Sequence, residues 1–515
     1  MMAGNGFNNA YAVVTLNALI GNLNWKGGFI INGGGFKDNG AGPRYDLETF
    51  PGQVKPAGTP IGRNVPYERS AEFKRRQAEG KPYPATDAWF PNAPGLGTEW
   101  FTGALRGYPY SLKALVLWSC NPLYGIPGIR PLIEDGLKDP KKLPLIIAVD
   151  PLINESNAFA DYIVPDSIMY ESWGFPAPWA GIPTKATTAR WPVVEPKAAT
   201  SADGQRIGME TFYIALAKAM SLPGFGADAI ADMDGKRYPL DRAEDWYLRG
   251  AANIAFAGKA PVGDATDEDM ALTGVERIRP LMEATLKPEE WRKAAKIYTR
   301  GGRYQGAGEA QDAENAEWQA NRFNKPLWVW NELIGTARNT MTGQRSSGCA
   351  TWMPPSFFDG TPMRELHTEA DWPLQIVSYK SALQNSYSIA TRITGLHPDN
   401  PVIVHPADAG RLGLATGDSA RIRTPGGAAA CTVIVHEGVM PGVMAIEHGY
   451  GHRELGARAH RIGDHTQPDR PDLRAGINLN DLGLTDPTRG DAVIWVDAVS
   501  GTAVRQGLPA RLERV

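Results

Sequence analysis

Apolar positions along the chain follow three regimes, and each predicts a different kind of element. Near the amino end, Ala10, Val13, Val14, Leu16, Leu19 and Ile20 recur near helical spacing, and Gly21 follows where a left-handed cap belongs. The spacing predicts a buried helix over residues 9–20. Two short runs then read as strands buried on both faces: "LKALVLWSCNP" (112–122) and "LPLIIAVDP" (143–151), the second followed by "ADYIVPD" (160–166). Near-continuous apolar runs, separated by enough chain for a crossover helix, indicate a parallel sheet of the α/β kind. Helix is expected again over 208–220 and 276–298. From residue 374 onward the period drops to two, as in "SARIRTPGGAAACTVIVHEGVMPGVMAIE", with frequent glycine turns. That alternation predicts a β-rich second domain of the barrel kind.

Between these regimes the pattern weakens. Residues 27–110 are rich in Gly and Pro around a charged patch, "ERSAEFKRRQAEGK", which suggests a long irregular insertion. The expected organisation is an α/β portion over 1–330 containing that insertion, a Gly/Trp-rich connection over 331–370, and a β-barrel over 371–515. The sequence contains no internal repeat.

Composition narrows the function classes. With 515 residues, 43% hydrophobic, and a net charge of −3 without any Lys/Arg block, the chain has a large core and no nucleic-acid or anionic-membrane surface in view. The strongest apolar runs have strand length, far from the roughly 18 residues that cross a bilayer. The first residues lack the basic stretch and small-residue cleavage site of a secretory signal. Cys120, Cys349 and Cys431 lie far apart with no C-x-x-C, so no zinc ribbon or iron–sulfur cluster is encoded locally. All eight histidines follow residue 366, which leaves the first two thirds without an imidazole base or ligand.

Ligands of open α/β sheets settle beyond the carboxyl ends of the strands. Asn121 and Asp150 occupy those ends; an Asp there can accept two N–H bonds from a guanine edge, and an Asn can both donate and accept. Taken singly, Asn-Pro and Asp-Pro are more often plain strand endings. The glycine clusters "INGGGFKDNGAG" and "RGGRYQGAG" lack phosphate-loop spacing and read as loops. His448 and His452 of "EHGYGH" are separated by two glycines that disfavour the helix needed to align them on a metal; His460 and His465 fall in a polar loop and are expected to be solvated.

Four segments, in order, resemble the molybdopterin-guanine-dinucleotide oxidoreductases of the dimethyl sulfoxide reductase type. "NGFNNAYAVVTLNALIGNLNWKGG" is similar to that family's helix and T-G-N-x-G-x-x-G-G turn, with Ile20 in place of Thr; "ALVLWSCNP" is similar to its strand ending in G-x-N-P, with Cys120 as a departure. "IAVDPLINESNAFADYIVPDSIMYESWG" is similar to the segment D-x-x-x-x-E-[ST]-A-x-x-A-D, the most specific signal in the chain, and "VIVHPADAGRLGLATGDSARIRTPGG" resembles the pterin-binding barrel. The resemblance implies a Rossmann-like parallel-sheet domain portion followed by a dinucleotide-binding barrel that acts as a lid on the cofactor's pterins, its glycines permitting close backbone approach.

By the same resemblance, Asn121, Val149 and Asp150 would contact one guanosine, with Ser172 and Glu210. Lys380, Ser381, Gln384, Asn385, Ser386, Ser388 and Thr391 stand where the family's pterin-contacting run lies, although Asn385-Ser386 replaces its Trp-His pair. Asn480 and Gln506 match its last two contacts, and Arg392 and His397 are the candidates for stabilising a departing anion. "EHGYGHRELGAR" and "GINLNDLGLTDPTRG" are most similar to the tetrathionate-reducing branch, with thiosulfate or polysulfide and then arsenate reductases next. The family's iron–sulfur cysteines and molybdenum ligand match nothing here, so the resemblance implies the second half of a longer periplasmic reductase, inactive alone. Its expected cofactor is molybdenum bis(molybdopterin guanine dinucleotide), with a [4Fe-4S] cluster in the other half. Its expected partners are that half, a ferredoxin-like iron–sulfur protein, a quinol-oxidising membrane protein and a small sulfur oxyanion, with no nucleic acid. The rival expectation is a non-catalytic nucleotide-binding scaffold.

Overall fold

The computed structural model describes every residue except 1, 31–32, 37–41, 56–57, 93–97, 179–180, 196, 198, 322–328, 384–394 and 491. The amino-terminal pattern forms helix α1 (Gly6–Leu19), closed by Gly21 at φ 72°. It is not the buried helix expected. Only Gly6, Tyr11 and Ala18 are buried, while Val13, Leu16, Leu19 and Ile20 are each more than half exposed. Apolar side chains run nearly all round this helix, so the face that packs, anchored by the Tyr11 hydroxyl on the Gly348 carbonyl at 3.0 Å, leaves the others outside.

The three apolar runs form a parallel sheet in the order β1 (Leu115–Trp118), β2 (Ile146–Asp150), β3 (Tyr162–Pro165). Leu117 lies opposite Ala148, and Ala148 opposite Ile163. The crossover from β1 to β2 contains α2 (Pro122–Gly125) and α3 (Arg130–Leu137), whose Ile133 and Leu137 pack on Leu117, Ile146 and Ala148. Burial on both faces, expected of β1 and β2, holds best for β2. Tyr162 and Ile163 of β3 and Trp118 of β1 are exposed, because only the middle strand has neighbours on either side.

Helices α4 (Met209–Ala219), α5 (Ala243–Phe256), α6 (Arg279–Thr285) and α7 (Trp291–Thr299) follow, close to the predicted stretches for all but α5. Alanines 251, 252 and 255 of α5 are fully buried against Ala294, Ala295 and Ile297 of α7. The stretch expected as an irregular insertion is long in turns but not peripheral. Tyr45 pairs in register with Asp232, is fully buried, and exchanges backbone hydrogen bonds with the Asn253 side chain of α5.

Period-two alternation closes a six-stranded barrel. Its strands are β4 (Leu374–Tyr379), β5 (Val402–Val404), β6 (Ser419–Thr424), β7 (Gly427–Val435), β8 (Val443–Glu447) and β9 (Leu508–Arg514), arranged around the wall as β5-β7-β6-β9-β4-β8. Inward positions of alternate residues, such as Leu374 and Ile376, Ala420 and Ile422, or Met444 and Ile446, fill the interior with Trp495. Closure removes free edges, and the filled interior leaves no room there for a ligand.

A buried ion cluster ties the early stretch to the barrel's last loops. The Arg489 guanidinium lies 2.6 Å from Asp87 and 2.7 Å from Glu99, Arg63 lies 2.7 Å from Glu99, and Arg106 lies 2.7 Å from Asp87. Burial pushes the Asp87 carboxyl up, but Arg489, Arg63 and Arg106 together hold it below its usual range. Removing one partner of such a cluster leaves buried charge uncompensated, at a cost of about 3–5 kcal/mol. Arg489→Ala is therefore expected to lower the stability measured by denaturation by that order. A stability within about 0.5 kcal/mol of the parent, the range of ordinary surface changes, would remove the cluster from the stabilising core.

Candidate functional site

The segments beyond the carboxyl ends of β1 and β2 meet loops of the barrel, and one buried carboxylate joins them. Glu155, five residues past β2, is 2% exposed. Its Oε2 accepts the Asn121 Nδ2 bond at 2.6 Å, just past β1. Its Oε1 accepts from the Arg453 and Glu454 backbone N–H groups at 2.7 and 3.2 Å and lies 3.2 Å from His452 Nδ1. Burial alone would raise this carboxyl; His452, Asn121 and the Arg453 N–H outweigh it and bring it down to about 2.

The same seam is sewn elsewhere. His452 stacks on Tyr124 of α2 with ring centroids 3.9 Å apart, and the Tyr124 hydroxyl donates to the Tyr450 carbonyl at 2.8 Å. Asn480 Nδ2 donates to the Tyr124 carbonyl at 2.7 Å, and the Gly128 N–H to the Asn480 carbonyl at 2.9 Å. The glycines of "TPGG" approach backbone closely, as expected of the barrel, but the backbone is the protein's own: a Cβ on Gly426 would run into the Gly483 carbonyl, and one on Gly483 into Gly128.

The residues singled out from the sequence fall into several groups. Asn121 is held at both ends, its Oδ1 accepting from Ser156 Oγ at 2.9 Å; Asp150 accepts from the Leu152 N–H and from Asn154 Nδ2, both at 3.0 Å. Burial and the nearby Asp166 raise the Asp150 carboxyl. Val149 is fully buried and its carbonyl accepts the Ser119 N–H at 3.1 Å. Ser172 and Glu210 line one cavity of about 450 Å³ together with Arg206, Arg242 and Arg277. Asp166 links the two groups, since its Oδ1 accepts the Met209 N–H at the start of α4 at 3.0 Å and its Oδ2 accepts Trp118 Nε1 at 3.1 Å.

On the barrel, Gln506 brackets Ser378 of β4, accepting its N–H at 2.8 Å and donating to its Oγ at 2.7 Å. Lys380 is exposed at the end of that strand, and Ser381 donates to Glu447. His397 Nε2 lies 2.8 Å from the other oxygen of Glu447, so Ser381 and His397 share one buried carboxylate. Gln384, Asn385, Ser386, Ser388, Thr391 and Arg392 lie outside the described residues. His460, expected to be solvated, lies 2.8 Å from the buried Glu454 because the loop folds back as a short hairpin, His460–Ile462 against His465–Gln467; His465 is exposed.

Reading the sequence missed Glu155, Tyr124 and the seam role of His452. Glu155 stood inside the most specific segment, five residues after Asp150, but nothing local shows that its partners lie some 300 residues away. At the seam, the buried His452 Nε2, Asn480 Oδ1 and Arg505 Nε have no hydrogen-bond partner among the described residues. Buried polar groups are ordinarily paired, so these loose ends suit a ligand with both donors and acceptors on its rim, as a pterin dinucleotide has.

Residues 377–483 match the molydopterin dinucleotide binding domain. The chain belongs to the molybdopterin oxidoreductases of the dimethyl sulfoxide reductase type. It is 50% identical over 519 residues to the A-subunit of tetrathionate reductase from Salmonella typhimurium, a match covering 100% of this chain and 50% of that protein. It is 31% identical to the tetrathionate reductase A-subunit of Archaeoglobus fulgidus (87% of this chain, 42% of that one) and 29% identical to the selenate reductase A-subunit of Mesobacillus selenatarsenatis (99% and 50%). The chain spans about half the length of the curated relatives it matches.

The depressed Glu155 carboxyl fixes the sign of a pH effect. A group whose folded value lies below its ordinary 4.5 contributes stability that is present above about pH 4.5 and is lost as pH falls toward 2. Glu155→Gln should therefore be less stable than the parent at pH 7, by on the order of 3 kcal/mol. The gap between the two denaturation midpoints should narrow steadily below pH 4.5. A gap independent of pH would show that the carboxylate's charge does not hold the seam.

Proposed function

We propose that this chain is the cofactor-gripping part of a molybdenum reductase that cleaves a sulfur–sulfur bond, with tetrathionate as substrate and two thiosulfates as products. The observation that carries the reading is 50% identity along the whole chain to a tetrathionate reductase A-subunit, against 29% to its selenate reductase counterpart. Bound bis(molybdopterin guanine dinucleotide) molybdenum supplies the two-electron transfer. This chain's own residues bind and orient it. In this reading Asn121, Asp150, Ser172 and Glu210, beyond the strands of a Rossmann-like sheet, serve a guanosine arm; Lys380, Ser381, Asn480 and Gln506 serve a pterin. The unpartnered atoms of His452 and Asn480 face the same task. His397, fixed by Glu447, orients a donor toward a departing anion.

The rest of the relatives' length is assigned the molybdenum ligand and a [4Fe-4S] cluster. Because the relatives are named as single subunits of their reductases, further subunits are inferred here: an iron–sulfur carrier and a quinol-oxidising membrane protein, with the reaction placed in the periplasm as part of anaerobic respiration. The selenate-reducing relative favours oxyanion reduction as the second reading.

With reduced viologen as donor, the assembled reductase is expected to turn over tetrathionate faster than selenate or arsenate. The opposite ranking would replace the sulfur assignment by the oxyanion one. Asp150→Ala is expected to lower molybdenum and guanosine content in the assembled enzyme, since a hydrogen bond to a charged group contributes about 1.5–3 kcal/mol. Full metal loading in that variant would take Asp150 out of the guanosine site.

A further inference from the structure

Beside the seam lies a cationic cluster centred on Arg505 and His448, two residues to which the function above gives no role. Arg505 is half-buried between β9 and the loop that follows β8, and it has no carboxylate partner among the described residues. One of its terminal nitrogens lies 3.4 Å from His448 Nε2, the other donates to the Met2 sulfur at 2.7 Å, and its Nε is buried without a partner. A thioether is a weak acceptor and does not neutralise a guanidinium. A guanidinium can only donate, so His448 accepts at Nε2 and carries its proton on Nδ1. Lys380 adds a second cation near His448 and has no ion-pair partner among the described residues. Both nearby carboxylates are committed elsewhere: Glu447 to His397 and Ser381, Glu155 to Asn121, His452 and the Arg453 N–H.

We infer that Arg505, His448 and Lys380 form an oxyanion-binding site that takes a doubly charged phosphate or sulfur-oxyanion group. The inference rests on the reading that this seam receives a dinucleotide cofactor and a sulfur oxyanion, and either source presents the same chemistry: several acceptor oxygens around a compact negative charge. A partly buried guanidinium with an unpaired Nε and no counter-ion is electrostatically incomplete, and an anion completes it. Burial first, then Arg505, Lys380 and His452, bring the His448 imidazole down to about 4, so it is neutral near pH 7. An anion placed among those cations raises it again, so binding takes up protons between about pH 4 and the ordinary histidine range near 6.5.

The test is calorimetric titration of the 515-residue chain with inorganic pyrophosphate and, separately, with tetrathionate. The parent and the Arg505→Met, Arg505→Lys and Lys380→Gln variants are compared, with thermal midpoints measured alongside. The expected result is that at least one anion binds the parent with proton uptake at pH 5.5. It should bind tenfold or more weakly to Arg505→Met, with partial recovery in Arg505→Lys and a several-fold loss in Lys380→Gln. If pyrophosphate shows this pattern, the occupant is the dinucleotide phosphate, and the guanosine content of the assembled Arg505→Met enzyme falls. If tetrathionate shows it, the occupant is the substrate, and KM rises with guanosine content unchanged. No anion binding by the parent, or equal binding by parent and Arg505→Met at matched thermal midpoints, overturns the proposal. If Arg505→Met does not fold, unchanged binding in Lys380→Gln, altered at an exposed position, overturns it equally. The titration does not depend on which substrate the assembled enzyme prefers, so its failure and a failed substrate ranking are separate results.

Discussion

The constraint on which the rest depends is a single buried carboxylate. Glu155 cannot lie at 2% exposure as an anion unless donors surround it, and those donors come from both halves of the chain: Asn121 beyond β1, and the 453–454 backbone and His452 ring from the barrel side. Satisfying one charge therefore fixes the distance and orientation between sheet and barrel. Apolar contact between two surfaces tolerates sliding; a carboxylate with directional partners on both sides does not.

A second carboxylate-centred cluster repeats the device at the opposite end of the sequence relationship, where Asp87 and Glu99 of an early loop hold Arg489 of a late one. The two clusters leave the barrel doubly anchored. Its interior is packed with aliphatic side chains and Trp495, so it contributes through its rim and the loops after β8 rather than as a container. Among the buried polar atoms without a partner in the described residues, those of His452, Asn480 and Arg505 sit where the rim meets the sheet's carboxyl ends or its neighbouring loops.

The seam also explains the glycine usage of the late loops. Gly426 and Gly483 let backbone segments, that of Gly128 among them, touch where a Cβ would collide, so these glycines bring the late loops directly against the protein's own backbone. Gly451, at φ 70°, turns the chain so that His452 can reach Glu155 while His448, four residues before His452, faces Arg505.

Local pattern determined the elements whose information is local. Continuous apolar runs fixed β1, β2 and β3 as parallel strands, and period-two alternation fixed the barrel, because each side-chain period can be satisfied by one geometry only. The motif segment around Asp150 and Glu155 was legible as special, yet its carboxylates could not be assigned from sequence, since hydrogen bonds from Arg453 and Glu454 depend on a fold that brings positions 298 and 299 residues apart together. Burial departs from the pattern where it depends on neighbours: α1 has apolar residues round most of its circumference, and β1 reads as apolar as β2 yet lies at an edge. Tertiary structure alone decided which polar side chains are positioned by partners within the protein, as Asn121, Asp150 and Gln506 are, and which are left with an unmet bond. The physical reason is that a sequence specifies each residue's capacity to donate, accept or carry charge, while the partners that use up that capacity are set by packing in three dimensions.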